Sequence, residues 1–340
     1  MDKKIGGFFP LGLPLSEIPQ NILTLWQIQK YSHLFFANGR SALHHLLKFL
    51  SPKTLWLPAY SCAAIVEAAQ NTGALLRFFP ITEQLLPDSR YLKKNIKPKD
   101  AVLAIDYFGR NPNTEFTDFA KEYSDIDWIE DRAQALSPGT AAWADFVIYS
   151  PRKLLGVPDG GILVSRKSEL PRSKPPFNLD ADFIKPSLLR YEDREETHNN
   201  IWHGANTAYE KSLAVIDFTM SRISHDILAA TDPKPLITAR QDNYRLLMQK
   251  LQNLALLTGD DNNFAPLGFP IRVKNRKKVA AFLHAKGIFA AHHWPELPCA
   301  PDAFVFEHEL AANILTLPCD HRYGKSDMEK IASLTQEAVA

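Results

Sequence analysis

The sequence predicts an α/β fold in which a mostly parallel sheet is covered by helices and followed by a smaller C-terminal α+β unit. Three observations predict it. From about residue 38 to 166, apolar runs of strand length alternate with helix-length segments, the order that builds parallel strands with crossover helices. After Asp232-Pro233-Lys234-Pro235 the pattern restarts with its own helices and short strands, so the chain divides there. Finally, 340 residues with 45% hydrophobic and 11% aromatic content suffice to bury two cores.

In the first part, the spacing of Leu43, Leu46, Leu47 and Leu50 predicts a helix over 40–50. There follow a strand at 54–57, a helix at 61–72, strands at 74–79 and 101–106, a helix at 114–123, and strands at 126–130, 145–149 and 161–165. Residues 168–206 form a polar, proline-bearing excursion carrying the charged patch Arg190-Tyr191-Glu192-Asp193-Arg194-Glu195-Glu196, a surface loop or an arm toward a partner. Leu213, Ile216, Met220 and Ile223 recur at helical spacing and predict one long helix over about 205–229. The boundary at the double proline gives domains of 1–235 and 236–340. The second is expected to hold a helix at 237–253, a strand at 268–273, a helix at 276–286, short strands at 288–292 and 313–317, and a closing helix at 325–338.

Charge narrows the function. Lysine and arginine number 39 against 38 acidic residues, which disfavours a nucleic-acid groove or an anionic membrane surface and leaves small-molecule chemistry as the expectation. Cys62, Cys299 and Cys319 have neither the spacing nor the parity of a disulfide framework or zinc knuckle, and no histidine spacing supports a metal site. With no long apolar run and no leader-like N-terminus, the expected location is the cytoplasm.

The chemistry concentrates between residues 130 and 161. Asp131 ends an apolar strand-like run, and Ser150 and Lys153 follow another, so all three fall near strand ends, where ligands of α/β sheets bind. A lysine held in a dry pocket becomes a neutral amine able to form imines. Asp131 could pair with a protonated pyridine nitrogen, and Gln134, one helical turn on, could reach a ring hydroxyl. Read alone, Lys153 is a surface lysine in a basic loop and Asp131 a helix cap; together they suit pyridoxal phosphate. Asn38-Gly39-Arg40-Ser41 supplies a glycine, a guanidinium and a hydroxyl at a helix start, and Ser150 a second hydroxyl, as a phosphate group requires.

The ordered set Asn38-Gly39-Arg40-Ser41-Ala42-Leu43, Leu57-Pro58-Ala59-Tyr60-Ser61-Cys62, Glu130-Asp131-Arg132-Ala133-Gln134 and Ser150-Pro151-Arg152-Lys153 with Asp159-Gly160-Gly161 resembles the DegT/DnrJ/StrS-type aminotransferases. The resemblance implies a fold-type I pyridoxal-phosphate enzyme with a large domain built on a seven-stranded sheet. It implies Lys153 as the Schiff-base lysine, Asp131 as the pyridinium partner and Gln134 as a ring contact. Gly39, Arg40, Ser41 and Ser150 would hold the phosphate. The slot that carries a ring-stacking aromatic in the family holds Cys62, with Tyr60 two residues earlier, and either could cover the ring. The implied reaction moves an amino group, with glutamate the implied donor, to a keto or aldehyde acceptor such as a nucleotide-linked keto-sugar. Other Cα chemistry, such as a lyase or decarboxylase reaction, and a silent cofactor-binding or scaffold role are the alternatives. Relatives that dehydrate sugars replace the lysine with histidine, which Lys153 argues against. The resemblance also implies a homodimer with a shared site, to which Asn199, Asn200 or Asn206 could contribute; among Tyr107, Trp202, His203, Arg322 and Tyr323 the spacing selects no substrate contact. His292-His293-Trp294-Pro295 reads as a substrate loop or as the packed end of a small-domain strand, with the packed end favoured.

Overall fold

The computed structural model describes residues 5–6, 16–137, 143–171, 182–195, 197–212, 214–215, 218–258 and 264–340. The first part is built on seven strands: β1 (Ser32–Phe36), β2 (Thr54–Pro58), β3 (Leu75–Phe79), β4 (Ala101–Ile105), β5 (Asp127–Asp131), β6 (Phe146–Tyr149) and β7 (Gly161–Ser165). Their spatial order is β1-β7-β6-β5-β4-β2-β3. Strands β2 to β6 run parallel, β7 is antiparallel to both β6 and β1, and the registers place Asp131 beside Ile148 and Phe36 beside Gly161. This topology brings the ends of β5 and β6, the start of β7 and the exit of β1 to one edge of the sheet.

Burial explains the composition of the strands. In β2, β4, β6 and β7 every residue is buried, so these segments are continuous apolar runs, whereas the edge strand β3 alternates with Leu75 and Arg77 more exposed. Helices α1 (Gly39–Leu50), α2 (Ala63–Ala69), α3 (Ser89–Asn95) and α4 (Thr114–Lys121) connect the first five strands. Leu43, Leu46 and Leu47 of α1 pack with Ile65 of α2 against Leu55, Leu103 and Ile148. On the other face Trp56, Phe116, Phe119, Trp128 and Trp143 form an aromatic layer.

Two further helices, α5 (Lys185–Glu192) and α6 (Asn199–Ser212), pack together as a hairpin within the predicted polar excursion. The single helix expected over 205–229 is corrected: α6 ends at Ser212 and α7 (Arg222–Ala230) begins afresh. Ser221 caps α7 by accepting from the Ser224 amide at 3.2 Å, and its own amide and hydroxyl donate to Asp159 at 2.8 and 2.6 Å, which draws the link out of helical geometry. Met220 is buried in that link, not on a helix, while Leu213 and Ile216 lie outside the described residues.

The chain then forms α8 (Pro233–Leu251), β8 (Phe269–Arg272), α9 (Arg276–Ala285), β9 (Ile288–Phe289), α10 (Val305–Asn313), β10 (Ile314–Leu317) and α11 (Lys325–Val339). Asp232 caps α8, with the prolines in its first turn, where missing N–H groups cost nothing. Strand β10 pairs antiparallel with β8, and Leu247, Leu251, Phe269, Ile271, Leu283, Leu315, Met328 and Ile331 make a core of their own. Sequence reasoning missed β1, α3 and α10, and it extended β9 to residue 292; beyond Phe289 only Ala291 pairs, through a bridge to Thr316. The N-terminal pair Ile5–Gly6 adds to β9 in parallel, so the chain's start joins its C-terminal part. Among the described residues no helix is long and apolar enough to cross a membrane.

Candidate active site

The sheet edge described above carries a cavity of about 240 Å³. Asp131, Ser150, Lys153, Gly39, Arg40 and Cys62 all line it, together with Asn38, Ala133, Arg152, Glu210 and Trp294. Each reaches it for a local reason. Asp131 is the last residue of β5; its Oδ1 accepts from the Ala133 amide at 2.9 Å, which turns the chain away from the sheet. Burial pushes the Asp131 carboxyl above its usual range, while the Lys153 ammonium and the Ala133 amide pull it back. Neighbouring side chains along a strand point to opposite faces, so Glu130 and Arg132 lie elsewhere. Buried Arg132 donates at 2.7 Å to both Glu130 and Asp106 and at 2.9 Å to Asn111. Burial alone would lower its pKa, but Glu130 and Asp106 outweigh that and hold it above the usual value. The two odd members of the motif therefore form an ion network beneath the site, and Asp131 faces the cavity.

Lys153 ends a single 3-10 turn, Pro151–Lys153, that caps β6, with its amide donating to the Ser150 carbonyl at 3.1 Å. The loop beyond is fixed by fully buried Arg240, whose guanidinium donates to Leu154 O at 2.8 Å and Pro266 O at 2.7 Å.

Opposite Ser150 stands the start of α1. Asn38 caps it by accepting from the Ser41 amide at 2.8 Å and the Ser41 hydroxyl at 3.0 Å. A β-carbon on Gly39 would lie 3.4 Å from Ser150 Cβ, so the helix start and the serine are in contact range. Glycines set this spacing from behind. Gly160 has φ of +132° and donates to Ala37 O at 2.7 Å, and a β-carbon on Gly161 would overlap the Asn38 carbonyl. A helix start, a hydroxyl and the guanidiniums of Arg40 and Arg152 at one cavity are the groups that an anion binds. Arg40 is also paired with Glu67 at 3.1 Å, and Arg152 with Glu210.

A second cavity, of about 300 Å³, shares Arg152, Lys153 and Trp294 with the first and adds Gln134, His293, Thr316, Asp320 and Arg322. Gln134 lies here, its Oε1 accepting from the Phe108 amide at 2.7 Å, which leaves its NH₂ as the end that can meet a ligand. Burial and then the Lys153 charge push His293 down to about 4, so it is neutral at physiological pH.

Two expected residues line neither cavity. The Ser41 hydroxyl serves the cap, and Tyr60 is fully buried with its hydroxyl donating to the His293 carbonyl. Burial raises the Tyr60 phenol well above its usual range, so it remains protonated. Of the three asparagines, Asn200 and Asn206 lie on α6, one exposed and one half-buried; Asn199 starts the same helix. Sequence reasoning missed Arg152 and Trp294 as cavity residues. The basic turn was a signal for the first; for the second, the segment reads as a substrate loop or a packed strand end with the latter favoured, and the fold instead sets Trp294 at the lining of both cavities.

The donor set fits pyridoxal phosphate: an acid, an amine and a phosphate cradle converge on one cavity. Comparison with known proteins agrees. Residues 28–334 match the model of the DegT/DnrJ/EryC1/StrS aminotransferase family. No curated protein matches the chain significantly by sequence. Among solved structures, the chain is similar to Helicobacter pylori PseC, an aminotransferase involved in pseudoaminic acid biosynthesis, with TM-score 0.70 and 13% identity over 99% of each chain. It is also similar to a Streptococcus pneumoniae protein described as a sugar aminotransferase, in its PMP form, with TM-score 0.69, 14% identity, and 99% and 98% of the two chains covered. A third, a DegT DnrJ EryC1 StrS aminotransferase from Brucella abortus, has TM-score 0.67 and 17% identity over 95% and 92%.

Proposed function

This chain belongs to the DegT/DnrJ/EryC1/StrS aminotransferase family, whose members use pyridoxal phosphate, and from that premise we propose that Lys153 and Asp131 run a transamination from an amino acid to a sugar-type ketone. The observation that carries the reading is that Asp131, Lys153, Ser150 and the start of α1 line one cavity.

When bound, the cofactor supplies a covalent electron sink for the substrate's Cα. The residues do the rest. Ser150 and the Gly39–Arg40 amides, with Arg40 and Arg152 nearby, would hold the phosphate. Asp131 would keep a proton on the ring nitrogen, with its charge supported by the Ala133 amide at 2.9 Å. Lys153 would hold the cofactor and, once the amino donor takes its place, its freed amine would move a proton from the substrate's Cα to the cofactor's C4′ on the same face. Gln134 would offer its amide to the ring hydroxyl. Glutamate as donor and a nucleotide-linked keto-sugar as acceptor extend the reading to the family's chemistry, and a cytoplasmic homodimer of two-domain subunits divided near residue 235 is its natural setting.

The test is the visible spectrum of the purified protein before and after L-glutamate, with borohydride trapping and peptide mapping. A yellow band bleached by glutamate and a label on Lys153, absent in Lys153→Ala, are expected. A protein that takes up no added pyridoxal phosphate, or a Lys153→Ala variant that transaminates at wild-type rate, overturns the reading.

A further inference from the structure

A pyridoxal ring is a flat, electron-poor surface, and its protonated nitrogen gives it cationic character, so it binds best against an electron-rich aromatic face. Cys62 and Tyr60 do not supply one. Cys62 lines the cavity from the N-cap of α2, but a thiol has no face to offer. Tyr60 has its ring in the core and its hydroxyl committed to the His293 carbonyl. Among the described residues lining the cavity with Asp131 and Lys153, the aromatic ring is that of Trp294.

Trp294 is also held in place. Its ring centroid lies 5.3 Å from that of Tyr60, 6.4 Å from Tyr107 and 5.6 Å from His293. The segment that delivers it is pinned to β10: Ala291 and Thr316 exchange amide hydrogen bonds of 2.9 and 2.8 Å, and the His293 ring meets the Thr316 hydroxyl at 2.9 Å. The His292 ring meets the Ala311 carbonyl at 2.6 Å. A half-buried indole that packs against three aromatic neighbours and lines the cavities on both flanks of Lys153 is a prepared face.

We propose that Trp294 is the aromatic cover of the cofactor ring, reaching the site from the C-terminal part of the chain and replacing the ring that position 62 lacks. The inference rests on the reading that this cavity holds pyridoxal phosphate. It makes Trp294 a cofactor-binding residue, and it explains how a cysteine is tolerated at position 62: a second ring there would compete with the indole for the same space.

The experiment titrates the cofactor-free protein with pyridoxal phosphate and reads the dissociation constant by absorbance and the indole emission by fluorescence. Trp294→Phe should bind within about threefold of wild type, while Trp294→Ala and the bulkier Trp294→Leu should bind roughly three- to tenfold more weakly, the range of one aromatic contact. Adding Cys62→Phe to Trp294→Leu should recover much of the loss, because a ring returns to the cavity from α2. The emission present in wild type and absent from Trp294→Phe should vanish at saturation. Should Trp294→Ala fail to fold, Trp294→Leu and the emission difference decide. Unchanged affinity in Trp294→Leu, or an emission difference that survives saturation, overturns the proposal. If wild type labels at Lys153 and this occurs, the inference alone fails; if wild type takes up no cofactor, the reading beneath it fails as well.

Discussion

At the scale of single residues, the site depends on a costly group, and the cost has a sign that can be measured. Asp131 sits above the usual carboxylate range because burial disfavours its charge more than Lys153 and the Ala133 amide support it. A raised folded-state pKa means that the folded protein holds the proton more tightly than the unfolded chain. The contribution to stability is therefore full below the unfolded pKa and is lost as pH rises through the folded one. At neutral pH, above the unfolded pKa, the cofactor-free folded form carries that penalty. Asp131→Asn keeps an oxygen for the Ala133 amide and removes the charge, so the cofactor-free variant should unfold at higher denaturant concentration than wild type at pH 7–8. The gain should shrink as pH falls below the raised pKa, while transamination is largely lost at every pH. Denaturation curves across pH check this, and a variant no more stable than wild type at neutral pH would contradict it. Arg132 behaves in the opposite way. Replacing it with Met leaves Glu130 and Asp106 buried beside one another, and the change should cost ~3–5 kcal/mol in urea unfolding, the range for breaking a buried ion pair from one side.

At the scale of elements, the proposed phosphate cradle is a product of strand packing. Strand β7 and the start of α1 touch because Gly161 has no side chain. Gly161→Ala must push its methyl into the Asn38 carbonyl, so it should destabilise the fold by ~1–3 kcal/mol and weaken pyridoxal phosphate binding by moving the helix start away from Ser150. Equilibrium unfolding and a cofactor titration read the two effects, and an alanine variant with wild-type affinity would show that the spacing is not set there. The same packing explains what could be foreseen. The buried strands β2, β4, β6 and β7 were legible because two covered faces demand continuous apolar runs, and α1 because its leucines repeat at helical spacing. That Asp131, Ser150 and Lys153 would meet at one cavity was legible because strand ends mark the ligand edge of such a sheet. Strand β1, with His33 among half-buried positions, lacks that apolar run, and α10 carries a buried Glu307 whose carboxylate takes the Ile81 amide at 2.8 Å, so its pattern is not amphipathic. The break between α6 and α7 was hidden for a related reason: the helical spacing of Leu213, Ile216, Met220 and Ile223 is local, whereas the Asp159 clasp on Ser221 and Ser224 comes from sixty residues away. Trp294 is the extreme case, since only the folded C-terminal part brings it over the cavity.

At the scale of the whole molecule, the α5–α6 hairpin is the feature that a single chain leaves half-used. Its inner side is well made: Asp193 accepts from the Thr197 and His198 amides at 3.0 and 2.9 Å and from the Trp202 ring at 2.9 Å, and the Arg190 guanidinium lies 4.1 Å from the Trp202 centroid. Its exposed surface is mostly charged and polar but includes Leu188, 39% exposed, and Ile201, 52% exposed. The far end of α6 also meets the active site, where Glu210 pairs with Arg152 beside Lys153. A second copy seated there would cover these two side chains, each worth ~1.5–3 kcal/mol when fully buried, and would adjoin the helix whose Glu210 lines the first cavity. That is the arrangement the proposed shared-site homodimer requires. Leu188→Asp combined with Ile201→Asp places two carboxylates in that face without touching the packing of Asp193, Arg190 and Trp202. On the proposed homodimer, sedimentation equilibrium should show a dimer for wild type and a monomer for this variant, and cofactor affinity should fall with it, because α6 loses the support that holds Glu210 and Arg152 at the cavity. A variant that stays dimeric would place the interface elsewhere on the molecule.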